Sequence, residues 1–144
     1  MRVGGKKFRA LIYEFAEVID LDMTTKGLNQ KRVTHTFWLN DSVPGGVLRH
    51  HRVSMMTRDP TFGNETDTKL VELDVKITAA GQKFQCYVIE TEEGGRGGRL
   101  ERYRIYRSPK VPGGVVRSEL KVVEGKKVLG SARQDLLEFK LTRP

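Results

Sequence analysis

Hydrophobic and polar residues alternate one by one over most of this chain. Phe8, Ala10 and Ile12 alternate with Arg9, Leu11 and Tyr13, and Phe84, Cys86 and Val88 hold the matching positions further on. Alternation rich in β-branched and aromatic residues predicts strands that turn one face inward. Segment 14–24 keeps that rhythm, because Phe15, Ile19, Leu21 and Met23 all fall on odd positions. The first strand is therefore placed at 6–16, running on to 23, and the next three at 31–40, 47–56 and 69–77. Four more follow at 82–92, 99–107, 115–123 and 133–142. In the fourth and eighth, Val71, Leu73 and Val75 align with Leu137, Phe139 and Leu141 as an inward stripe, with Glu72 and Glu138 facing away.

The strand pattern occurs twice. Val43-Pro44-Gly45-Gly46-Val47 returns as Val111-Pro112-Gly113-Gly114-Val115, 68 residues later. Phe37-Trp38 and Ile105-Tyr106 precede these segments by equal distances, and Arg49 and Arg117 follow them equally. Gly5-Lys6-Lys7-Phe8 matches Gly81-Gln82-Lys83-Phe84 at a spacing of 76, and Leu70-Val71-Glu72-Leu73 matches Leu136-Leu137-Glu138-Phe139 at 66. Four landmarks in one order imply a tandem duplication, with one unit over about 5–78 and the other over about 80–142. Proline presets φ near −65° and a following glycine supplies positive φ, so Pro44-Gly45-Gly46 and Pro112-Gly113-Gly114 predict type II turns. Thr25-Lys26-Gly27 and Gly94-Gly95-Arg96-Gly97-Gly98 read as hairpin turns.

Eight strands joined by short connections predict a single all-β domain over residues 1–144, an antiparallel meander of two pseudo-symmetric four-stranded units. Such a sheet must bury one face, so a curved sheet or a barrel is expected.

Composition narrows the function classes. No stretch reaches the roughly 18 apolar residues of a membrane-spanning helix. Lys6, Lys7 and Arg9 are not followed by an apolar stretch, so no signal peptide is predicted. Cys86 is the only cysteine, which excludes an internal disulfide and predicts a small buried hydrophobe. The net charge of +8 is uneven: residues 1–95 hold 13 Lys and Arg against 13 Asp and Glu, whereas residues 96–144 hold 13 against 5. A basic half of this kind suits nucleic acid or an anionic lipid surface. Arg102 and Arg104 share one strand face with Tyr106, which makes them the candidate basic row.

The sequence holds no GxSxG, GxGxxG, Walker or CxxC motif, and no catalytic residue is assigned. His50 and His51 are strand neighbours whose side chains point to opposite faces, so no metal site is expected from them, and no cofactor either. Three readings remain ahead of an enzyme. They are a module holding a small apolar or amphipathic ligand, a structural protein pairing into homo-oligomers, and an electrostatic binder acting through residues 96–144.

The run from Tyr106-Arg107-Ser108-Pro109-Lys110-Val111-Pro112-Gly113-Gly114 to Leu136-Leu137-Glu138-Phe139 resembles bacterial proteins of uncharacterised function that carry a duplicated VPGG β-unit. Its rhythm over about 37–77 and 105–142 is also similar to the lipoprotein-carrier-like half-barrels of the bacterial envelope. That second resemblance implies a curved antiparallel sheet whose concave face holds acyl chains, and an envelope location.

Overall fold

A computed structural model describes residues 1–21, 29–56, 63–94 and 98–138. Among the described residues, ten strands follow one another: β1 (Arg2–Val3), β2 (Lys6–Lys7), β3 (Leu11–Leu21), β4 (Asn29–Leu39), β5 (Val47–Met56), β6 (Gly63–Ala79), β7 (Gln82–Gly94), β8 (Arg99–Arg107), β9 (Val115–Glu124) and β10 (Lys127–Asp135). β1 and β2 form a small hairpin. The other eight make one antiparallel sheet in the order β10-β9-β8-β7-β6-β5-β4-β3, so each strand pairs with its sequence neighbour. The all-β meander expected from the alternation is present. A barrel is not, because β3 and β10 stand at opposite edges and the sheet does not close.

Two corners shape one end of the sheet. The Asn40 N–H donates to Gly46 O at 3.0 Å, Val43 N–H to Asn40 O at 3.3 Å, and Gly46 N–H to Val43 O at 3.0 Å. The second corner closes with Ser108 N–H on Gly114 O at 2.8 Å, Val111 N–H on Ser108 O at 3.2 Å, and Gly114 N–H on Val111 O at 2.8 Å. Gly45 has φ 73° and ψ 0°, the third position of a type II turn, and Gly113 has φ 75°. An L-residue in that left-handed region is strained, which explains glycine at both places.

Burial is concentrated in two clusters. One gathers Val3, Val43, Leu48 and Leu70, with Phe8, Ala10, Trp38, Leu73, Tyr87 and Ile89 packed around them. The other gathers Ile77, Ala79, Phe84, Cys86, Val111 and Val116, with Val75, Tyr106 and Leu136. β6 feeds both. Its pairing with β7 slips between Leu70 and Glu72 and again between Glu72 and Val75, and Asp74 sits at φ 61°. Extra residues of this kind change which face the following side chains meet. The β1–β2 hairpin buttresses the irregular stretch, with the Gly4 N–H donating to Val71 O at 3.0 Å.

Several sequence expectations are corrected. The first strand is interrupted: Lys6–Lys7 pair with Arg2–Val3, and the long strand starts only at Leu11. Ile12 is exposed rather than inward, since β3 is an edge strand with a neighbour on one side only. Among the described residues the last strand is Lys127–Asp135, so the strand expected at 133–142 starts earlier and only its first three residues coincide, residues 139–142 lying outside the described residues. A turn at Gly125, with φ 60°, starts the return earlier. Leu137 is 84% exposed, and residues 136–138 carry no strand. The stripe of Val71, Leu73 and Val75 is only half-buried, because the bulge gives the buried places of β6 to Leu70, Ile77 and Ala79. Phe139 and Leu141 of that expected stripe, Met23, the Thr25-Lys26-Gly27 turn and Gly95-Arg96-Gly97 lie outside the described residues.

Candidate functional site

The ground between the two corners is the candidate site. Pro44 of the first corner faces Ser108, Pro109 and Lys110 of the second across β6 and β7. A hollow of about 340 Å³ lies between them, with Leu73, Cys86 and Tyr87 among its walls and Asp74 and Lys110 as its charged groups. A second hollow of about 220 Å³ shares Pro44 and Tyr87, and adds Val47, Leu70, Ile89 and Arg107. Together they form a largely apolar trough with cations at the second corner. Lys110 and Arg107 have no ion-pair partner among the described residues, and Arg107 Nε is buried without a hydrogen-bond partner. Asp74 is engaged, accepting from Gln85 Nε2 at 2.9 Å and lying 3.8 Å from Lys6 Nζ. Cys86 is 1% exposed, and burial pushes its thiol pKa up, so it stays protonated and unreactive.

The predicted basic row lies on β8, outside the trough. Arg102 and Arg104 share a sheet face with Glu90, Glu92 and Glu119, as pairing and alternation require. Arg102 Nη2 lies 2.9 Å from Glu92 Oε1, and Arg104 pairs with Glu72. Tyr106 sits between the guanidinium groups of Arg104 and Arg117, each 5.7 Å from its ring centre. Arg117 in turn holds Asp135 at 2.6 Å, and Arg49, stacked on Trp38 at 4.7 Å, holds Asp67 at 2.7 Å. Each of these cations meets a carboxylate on the same sheet face, Asp67 being shared with Lys69 and Asp135 with Arg133.

The structure brings together one group that the sequence analysis did not. His50 and His51 do point to opposite faces: His51 Nε2 is 2.6 Å from Glu65, whereas His50 joins His35. His35 Nδ1 and His50 Nε2 are 3.0 Å apart, and Phe15, His35, Phe37 and His50 form a stacked row, with Phe37 and His50 ring centres 4.0 Å apart. The signal was available in the β4–β5 hairpin. Its pairing sets Phe37 against His50, which makes His35 the diagonal neighbour of His50 on the same face. His35 Nε2 is 3.4 Å from Glu17 Oε2, near enough for an ion pair but not directed as a hydrogen bond. Among the described residues no three His, Cys, Asp or Glu side chains are placed to hold a metal ion.

Burial, then the neighbouring His35, Arg52 and His51, lower the His50 pKa below its ordinary value. The unfolded chain then binds more protons than the folded one between the folded pKa and about 6.5. Stability attributable to His50 is present above about pH 6.5 and is lost as the pH falls through that window. The melting temperature should therefore rise as the pH is raised towards about 6.5, and His50→Gln should flatten the rise. A profile unchanged by that substitution would contradict the assignment.

The fold and the trough define an open antiparallel meander with a concave, cation-tipped groove. Comparison with protein-family models, with curated proteins and with solved structures returned no match.

Proposed function

We propose that the chain is a duplicated, non-catalytic β-module, and that the trough between its corners holds a small amphipathic molecule with an anionic head. The duplication is supported by the strand registers. Leu11 faces Leu39 and Tyr87 faces Arg107; Trp38 faces Arg49 and Tyr106 faces Arg117; Arg49 faces Lys69 and Arg117 faces Asp135. Each second pair is the first one displaced by the sequence spacings of 76, 68 and 66. The clusters correspond in the same way. Phe8, Ala10, Trp38, Val43, Leu48 and Leu70 answer to Phe84, Cys86, Tyr106, Val111, Val116 and Leu136. The units then present a sheet with two like corners and a groove between them. An experimental structure in which β3–β5 do not superpose on β7–β9 would overturn this reading.

The binding reading is carried by Arg107 and Lys110, two cations without ion-pair partners among the described residues, at the end of an apolar trough. The larger hollow lies at the low end of ligand-site volumes, which favours a small guest. Its walls suit a short acyl or aromatic body, and the cations suit a carboxylate or phosphate. The resemblance to acyl-holding half-barrels points the same way. Titration with a fluorescent fatty acid should give saturable binding. A charge-assisted hydrogen bond contributes about 1.5–3 kcal/mol, so Arg107→Gln should weaken that binding about tenfold to hundredfold. The matching fatty alcohol should bind both proteins alike. Absence of binding, or equal loss for acid and alcohol, would remove the proposal.

The reading as an electrostatic binder through residues 96–144 is less favoured. Its basic row, Arg102 and Arg104, is compensated by Glu72, Glu90 and Glu92 on the same surface.

A further inference from the structure

We infer that the two edges of the sheet, unpaired among the described residues, pair with each other between copies of this chain, β10 of one against β3 of the next, head to tail and antiparallel. An unpaired strand presents a row of backbone donors and acceptors, and exposed apolar edges are joining surfaces. Here the exposed large hydrophobic side chains gather at the edges. Leu11, Ile12, Tyr13, Val18 and Ile19 are on β3, Val128 and Leu129 are on β10, and Leu137 lies just beyond it. Among the described residues, only Met1, Met55 and Val115 are large hydrophobics exposed elsewhere. The edges also differ in charge. β3 carries Glu14, Glu17 and Asp20 and no base, whereas β10 carries Lys127 and Arg133 against Asp135.

The choice of a second copy comes from inside the molecule, and it rests on the duplicated reading. In that reading β6 is the last strand of the first unit and β7 the first strand of the second. Their seam is continuous from Glu65↔Gly94 to Leu70↔Ile89. β10 and β3 are the same two kinds of strand, left without that seam. Strand direction alternates along the meander, so β10 already runs opposite to β3 and needs no reorientation to pair with the next copy.

Moving the β6–β7 register by the spacings of 66 and 76 gives the new seam. Ser131 falls opposite Val18, Ala132 opposite Glu17, Gln134 opposite Phe15 and Leu136 opposite Tyr13. Glu14 meets Asp135, whose carboxylate is already held by Arg117 at 2.6 Å and Arg133 at 2.9 Å, so two guanidinium groups receive two carboxylates. A head-to-tail contact of this kind repeats, giving rings or filaments rather than a closed twofold dimer.

The test uses Val18→Cys and Ser131→Cys chains of different mass, each with Cys86→Ala so that no other thiol reacts. Mixed and gently oxidised, they should give a covalent pair containing one chain of each kind, while neither variant links to itself. Light scattering of the unmodified chain should show mass rising with concentration. Val18→Lys, at an exposed position, should keep the β circular-dichroism spectrum and lose the association. Self-linking of Val18→Cys would mean β3 pairs with β3 and would overturn the inference. So would stronger linking of Val18→Cys to Arg133→Cys than to Ser131→Cys, or a strict monomer up to the solubility limit. A monomer whose halves superpose removes the seam alone. A mixed pair from a chain whose halves do not superpose removes only the duplicated reading.

Discussion

Replacing Phe84 with alanine is expected to lower the unfolding free energy by about 3–5 kcal/mol, the usual range for a buried phenylalanine. Phe84 is 2% exposed and is the largest fully buried side chain of the described residues. It packs in the cluster with Ile77, Val111 and Val116, where β6, β7 and the second corner converge. Truncation would leave a void walled by three separate segments, which cannot close over it together. Phe8, which packs against the other cluster, is only half-buried, so Phe8→Ala should cost less. Urea unfolding of both variants gives the comparison. A larger loss for Phe8→Ala would show that the second cluster is not the tighter of the two.

Leu48→Ala should cost about 2–5 kcal/mol, because Leu48 is 1% exposed beneath the first corner, beside Val43 and Leu70. Val116, beside Val111 in the other cluster, is fully buried. Val116→Ala removes fewer carbon atoms and should cost less. Both substitutions should lower the urea midpoint without changing the slope, since neither alters the surface exposed on unfolding. A neutral Leu48→Ala would mean that the first corner is not held by packing.

Much of this arrangement was legible because it depends on short-range rules. Pro44-Gly45 and Pro112-Gly113 announced their turns, since few other residue pairs combine a fixed φ with a positive one. The alternation around Phe84, Cys86 and Val88 correctly gave their burial. What failed was what alternation cannot carry. Ile12 has the right parity for the inside, but whether anything covers an edge strand is decided by the rest of the sheet. Asp74 adopts a left-handed backbone within β6, and the phase of every later residue in that strand follows from it. The start of the last described strand was expected too late because Leu136-Leu137 looked more strand-like than Lys127–Asp135, which is polar and lies at an edge. In the site, the corner residues were readable but the trough was not. Arg107 and Lys110 gain meaning only when Pro44 is brought across from the other corner. Arg102 and Arg104 looked like a free basic row until the neighbouring strands supplied Glu72 and Glu92.

The irregular turn of backbone at Asp74 binds the fates of the two halves. Upstream of it, β6 gives Leu70 and Leu73 to one hydrophobic group; downstream, it gives Val75, Ile77 and Ala79 to the other. Peeling that single strand away strips a wall from both. Neither cluster has a private route to disorder, so the sheet is built to come apart as one.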